Sequence, residues 1–141
     1  MDTDSSSFAA RIGAIVSLLL AAVVFVPALV VTAPGTGVGD YYASGPLGVS
    51  IVGFLALLGV VVFLAGAQER SDPVTLSGIA LVSGLAMLLF SLLWAVSIDQ
   101  TLLFSFPAEY AWMENHRWAV VAVALVVAAT GGGYARTVLN P

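Results

Sequence analysis

Four stretches of the chain, at about 12–31, 47–67, 74–98 and 118–134, contain no Asp, Glu, Lys, Arg or His. A run of about 20 apolar residues crosses a hydrocarbon core about 30 Å thick. Backbone N–H and C=O groups in lipid find no water, so a spanning segment satisfies them as a helix or in a closed barrel. The runs are continuous, whereas barrel strands alternate over segments of about ten residues. The pattern predicts an all-α fold, a polytopic membrane protein whose four transmembrane helices form a bundle with short loops. A single membrane domain over 1–141 is expected, with an external connection at 99–117.

The charge inventory agrees. Of 141 residues, 60% are hydrophobic and 9% charged, against about a quarter charged in a soluble domain. Too few charges are present to cover an apolar core with a hydrated surface. All four basic residues are Arg, and the net charge is -4. No basic stripe exists to neutralise phosphates, which excludes nucleic acid, and no polybasic segment faces anionic lipid. Cys is absent, which removes disulfides, thiolate catalysis and Cys-ligated metals. The lack of Lys beside abundant Ala, Val, Gly and acid points to a high-salt organism.

Local signals set the ends of the spans. The first run exceeds the roughly 7–15 apolar residues of a signal peptide. The segment before it is acidic through Asp2 and Asp4, and Pro34 follows the small-residue site near Ala33. It reads as a retained span, with a kink at Pro27, which removes one helical hydrogen bond. Ser44 is the expected N-cap of the second span, after which Gly45-Pro46 punctuates the chain. Asp72 caps the third, with Pro73 at the first helical position, where its missing N–H costs nothing. Pro107 can start the fourth helix well before the membrane, and Gly131-Gly132-Gly133 loosens its far end. Leu102 to Phe106 is expected in the interface.

An even number of spans puts both termini on one side, with Arg11, Arg70 and Arg136. Arg117 alone lies opposite, so the positive-inside rule predicts cytoplasmic termini in a cell membrane. Tyr41, Tyr42, Trp94, Tyr110, Trp112 and Trp118 then form an aromatic belt at the external interface.

Helices in lipid associate through close approach of small residues. Gly13, Ser17 and Ala21 in span one, Ala80 and Gly84 in span three, and Ala124, Ala128 and Gly132 in span four are the expected packing stripes. Ser17, Ser50, Ser83, Ser91 and Thr130 are expected to bond a carbonyl one turn back or a neighbouring helix.

Ionisable groups inside a span mark proton relays, voltage sensors and ion pathways, and none lies mid-span here. The remaining chemistry is external: Asp40, Asp99, Glu109, Glu114 and His116. Glu109 and His116 share a helix face but sit about 10.5 Å apart along the axis, and Glu114 and His116 point to nearly opposite sides. One helix cannot bring a carboxylate and the imidazole onto one metal, so no catalytic, metal or cofactor site is predicted. Glu114 and Arg117, three apart, can pair. Glu69, Arg70 and Asp72 form a charged turn. No phosphate loop, zinc motif or nucleophile elbow occurs.

At Tyr41-Tyr42-Ala43-Ser44-Gly45, Glu69-Arg70-Ser71-Asp72-Pro73, Leu93-Trp94 and His116-Arg117-Trp118, the chain resembles a group of small four-span haloarchaeal membrane proteins of unknown function. The resemblance covers most of the length and implies the same fold. It carries no assigned activity, so no functional residue transfers. The leading expectation is a non-catalytic protein that acts by association in the lipid bilayer, as a homo-oligomer or with another membrane protein. The alternatives are an oligomeric channel or transporter for a small neutral solute, and a membrane enzyme using the external acids and His116.

Overall fold

Asp72 and Pro73 show how sequence becomes structure here. The Asp72 carboxylate accepts from the Thr75 backbone N–H at 3.2 Å and from its hydroxyl at 2.7 Å, and Pro73 occupies the first turn. This cap starts one of four long helices in a computed structural model that describes residues 2–31 and 37–140. The long helices are α1 (Asp2–Val30), α3 (Ser50–Ala67), α4 (Pro73–Ser97) and α6 (Met113–Leu139). The short helices α2 (Val38–Ala43) and α5 (Gln100–Phe104), with a 3-10 turn at Ala108–Tyr110, fill the connections. No strand occurs among the described residues. All four long helices are long and apolar enough to cross a membrane. The shortest, α3, has 18 residues and is about 27 Å long.

The helices pack in a ring: α1 on α3, α3 on α4, α4 on α6, and α6 on α1. Both described chain ends and the α3–α4 turn lie at one end of the bundle, the terminal end. The connections containing α2, α5 and the 3-10 turn close the other, the capped end.

Glycines set the close contacts. A Cβ on Gly84 would sit 3.1 Å from the Ala128 Cα, and one on Gly131 would sit 2.9 Å from the Ala80 carbonyl oxygen. These two pairs bring the backbones of α4 and α6 together. Gly13 on α1 receives the Phe63 ring from α3, and Gly66 receives the Tyr134 ring from α6. Ser17, Ala21, Ala80 and Ala124 are buried. Gly132 is only half-buried, and its nearest neighbour would be Leu81 Cδ1 at 3.9 Å. The close approach falls at Gly131, one position earlier. Positions three and four apart share a helix face, so a four-residue stripe from Ala128 overshoots by one.

Other local expectations give way to the structure. Ser44 ends α2 and donates to the Asp40 carbonyl at 2.9 Å. It caps no span, because α3 begins at Ser50 after Val49, with no side-chain cap. α6 starts at Met113, after the 3-10 turn, and runs through all three glycines to Leu139. Packing of Gly131 against α4 offsets the weak helix propensity of the triplet. Leu103 and Phe106 turn into the core, while Phe104 is 70% exposed. Ser83, Ser91 and Thr130 donate to carbonyls three residues back, and the buried Ser17 hydroxyl has no partner. Ala33, Pro34 and the start of the first connection lie outside the described residues.

Candidate functional site

Pro27 has no N–H, so the carbonyl four residues earlier, at Val23, loses its helical donor. An unpaired carbonyl at membrane depth costs several kcal/mol by order of magnitude. In this protein the donor comes from another helix: His116 Nε2, on α6, lies 2.6 Å from the Val23 oxygen. The next rung of α1 is also rebuilt from outside. The Tyr42 hydroxyl donates to the Val24 carbonyl at 2.7 Å and accepts from the Ala28 N–H at 3.1 Å. In an uninterrupted helix those two backbone groups would bond each other. The helix then resumes, with Val31 N–H on the Pro27 carbonyl at 2.9 Å.

The first connection delivers the tyrosines. Gly45 and Gly48 have φ of +76° and +71°, the left-handed region that glycine enters freely. A Cβ on Gly48 would also press within 2.6 Å of the Tyr42 carbonyl oxygen. Val49 N–H closes this turn on the same carbonyl at 2.9 Å. α2 is thereby folded back over the bundle, with Tyr41 wholly buried.

Tyr41 and His116 are joined through the Tyr41 hydroxyl and Nδ1, 2.7 Å apart. A carbonyl only accepts, so Nε2 must carry a proton toward Val23. In the neutral imidazole Nδ1 then accepts, and the Tyr41 hydroxyl donates. Trp94 Nε1 on α4 donates to the Tyr41 carbonyl at 2.8 Å. Tyr41 meets Trp94 edge-on at 5.1 Å between centroids, and Phe106 at 6.1 Å. His116 meets Trp94 and Trp112 in the same way. One bonded chain therefore ties α4, α2, α6 and α1 together. Burial pushes the Tyr41 phenol well above its ordinary range. The neighbouring Tyr42 adds to the shift, and Arg117 opposes it. Burial also raises Tyr42, against the bond from Ala28. Both hydroxyls stay protonated donors.

Arg117 completes the arrangement. Its Nη1 donates to the Ala95 carbonyl at 3.0 Å, and its guanidinium lies over the Trp118 ring at 5.1 Å. Ala95 is near the end of α4, where carbonyls lack helical donors. The pairing expected with Glu114 is replaced by this cap, which leaves Arg117 Nε buried without a partner. Beside His116 an open groove of about 300 Å³ runs between α1 and α6, lined by Val23, Val26, Trp112, Asn115, His116 and Ala119.

The acids of the capped end do not join this network. Asp40, Asp99, Glu109 and Glu114 are exposed, and His116 is buried. Asp99 caps α5 by accepting from Thr101 N–H at 2.9 Å. Among the described residues no group of three or more His, Asp or Glu could hold a metal ion. The aromatic belt divides in two. Tyr41 and Trp94 are core residues of the capped end, and Trp118 is 44% exposed. Reading Tyr41 and Trp94 as interfacial anchors missed their role. The signal was Pro27: an interior proline demands an outside donor, and His116 is the one histidine in the chain.

A model of a family of unknown function, DUF7548, matches residues 1–139, and the chain belongs to that family. No match was found among curated proteins or among solved structures.

Proposed function

We propose that the protein is a non-catalytic multi-pass membrane component that acts by associating with other membrane proteins, with both termini cytoplasmic. The observation that supports this reading is the use made of His116. It is the residue best suited to acid–base chemistry at neutral pH, and both ring nitrogens are occupied in holding helices together. The exposed acids of the capped end, Asp40, Asp99, Glu109 and Glu114, make no bond to either ring nitrogen. What remains available is surface. Between α3 and α4 an open apolar groove of about 580 Å³ includes Leu55, Thr75, Gly78, Val82, Ser83 and Ala86. Gly78 is exposed, with nothing within 4 Å of where a Cβ would be, and small residues let a second helix approach closely. Absence of Lys and an acidic balance fit a haloarchaeal source for this component.

Site-directed cross-linking tests the reading, and the cysteine-free chain needs no background removal. Gly78→Cys in native membranes is expected to give one dominant adduct, retained through purification in mild detergent. Leu18→Cys, 57% exposed on α1, is the comparison site. Equal, diffuse labelling at both sites, or solute flux through liposomes holding this protein alone, would overturn it. Reporter fusions placing Gln68 to Asp72 outside would overturn the orientation.

A further inference from the structure

We infer that His116 is a proton-operated latch, and that protonating it lifts α2 from the bundle and undoes the repair of α1 at Pro27. The geometry fixes the sequence of events. Nε2 donates to Val23 and continues to do so in the imidazolium. Nδ1 accepts from Tyr41 only while it carries no proton. When Nδ1 takes a proton from solvent, the bond across 2.7 Å must reverse, with Nδ1–H donating and the Tyr41 oxygen accepting. The Tyr41 hydroxyl must turn its hydrogen elsewhere, and the groups packed around its ring are the rings of Tyr42, Trp94, Phe106 and His116. None replaces an imidazole nitrogen as acceptor.

The charged surroundings do not favour an imidazolium. α1 presents the Val23 carbonyl and has no titratable side chain between Arg11 and its end. α2 presents Tyr41 and Tyr42, and its Asp40 is exposed. α4 holds no titratable group at all. The connection after α4 carries Asp99 and Glu109, both exposed, and the half-buried Tyr110. On α6, Glu114 is exposed and Arg117 is turned to the Ala95 carbonyl. No carboxylate is bonded to the ring, and the next residue along the chain is a cation.

Tyr41 and Tyr42 sit on the same six-residue helix, so expelling the first withdraws the second. Tyr42 is the rung between Val24 and Ala28. Its loss leaves α1 open at the proline. A proton has a route in: His116, 6% exposed, lines the open groove between α1 and α6.

The test uses the full chain in lipid nanodiscs with spin labels at Gly39→Cys and Val126→Cys. Gly39 has nothing within 4 Å of a Cβ, and Val126 is 46% exposed on α6. Lowering the pH from about 8 to about 4.5 brackets the ordinary histidine range near 6.5. The label distance is expected to lengthen reversibly while far-ultraviolet circular dichroism stays constant. In the same pair carrying His116→Gln, which retains an N–H donor but cannot titrate, the distance is expected to stay fixed. A constant distance in the parent chain, the same lengthening in the Gln variant, or concurrent loss of helicity would overturn the latch. Nitrogen-15 spectra of the imidazole decide the premise without a mutation at His116: Nε2–H with bare Nδ1 near pH 8 is expected, and the opposite tautomer refutes it.

Discussion

The two ends of the bundle are held by different physics. At the terminal end, packing dominates: Phe63 lies against Gly13, Tyr134 against Gly66, and the two rings meet at 6.0 Å. A cross-helix polar bond there runs from the Ser7 hydroxyl to the Ala67 carbonyl at 3.2 Å. At the capped end, hydrogen bonds through Tyr41, Tyr42, Trp94, His116 and Arg117 join every long helix except α3. Shape complementarity depends on side-chain volume and is indifferent to pH. A polar network depends on protonation state and on each donor finding its acceptor. The capped end is therefore where a signal can act, and the terminal end is where the bundle stays closed.

The largest expected effect breaks the capped end outright. Trp94 is 1% exposed and bonds the Tyr41 carbonyl, so Trp94→Ala removes a buried ring and a donor together. Truncating a buried Trp costs about 3–5 kcal/mol. Unfolding in a denaturing-detergent titration should show a loss of that size. An effect below about 1 kcal/mol would mean that the network is decoration on a bundle already complete without it.

The terminal half answers to volume. Gly131→Ala places a methyl 2.9 Å from the Ala80 carbonyl oxygen, and Gly132→Ala meets only Leu81 at 3.9 Å. Overpacking costs about 1–3 kcal/mol. The same titration should register that loss for Gly131→Ala and little or none for Gly132→Ala. Reversal of the order would assign the α4–α6 contact to the wrong face of α6.

The architecture was legible because charge-free runs of 17 or more residues leave a membrane helix few alternatives. The Asp72–Pro73 start was legible because its chemistry is local, within three residues. The site was not. Its partners are separated by 75 residues for Tyr41 and His116, and by 93 for His116 and Val23. No period or spacing connects them. The sequence did mark the vacancy, since Pro27 removes a donor, but several polar side chains could have filled it. Placement of Gly131 over Gly132 was hidden for a related reason: three- and four-residue steps both hold a helix face, and α4 decides between them.

A smaller effect concerns the α3–α4 turn. Glu69 has φ of +55°, and Glu69 N–H and Arg70 N–H close on the Gly66 and Ala65 carbonyls at 3.2 and 3.0 Å. This is the helix-ending motif that normally places glycine in the left-handed position. A side chain there costs about 1–2 kcal/mol, part of which glycine returns through its freer unfolded chain. Glu69→Gly should raise stability by about 1 kcal/mol, the one substitution expected to strengthen the terminal end. Destabilisation would show that the carboxylate contributes more than the backbone strain removes.

The smallest effect separates the two ends by pH. Asp72 is held below the ordinary carboxyl range first by the Thr75 hydroxyl and then by the Thr75 N–H. A carboxyl whose value is lower in the folded state adds stability above its ordinary value of about 3.9, and that stability is lost as the pH falls through the lowered folded value. Acid therefore loosens the start of α4 only below about pH 4, while the latch at the other end answers to His116 alone. Hydrogen exchange at the amides of Thr75 and Leu76, compared with Asp72→Asn, reads the first event, and the α2 label distance reads the second. His116→Gln should abolish the change in label distance and leave the exchange difference, and Asp72→Asn should do the reverse. If either substitution silenced both readouts, the ends would be titrating as a single unit, and the division between a packed end and a polar end would fail.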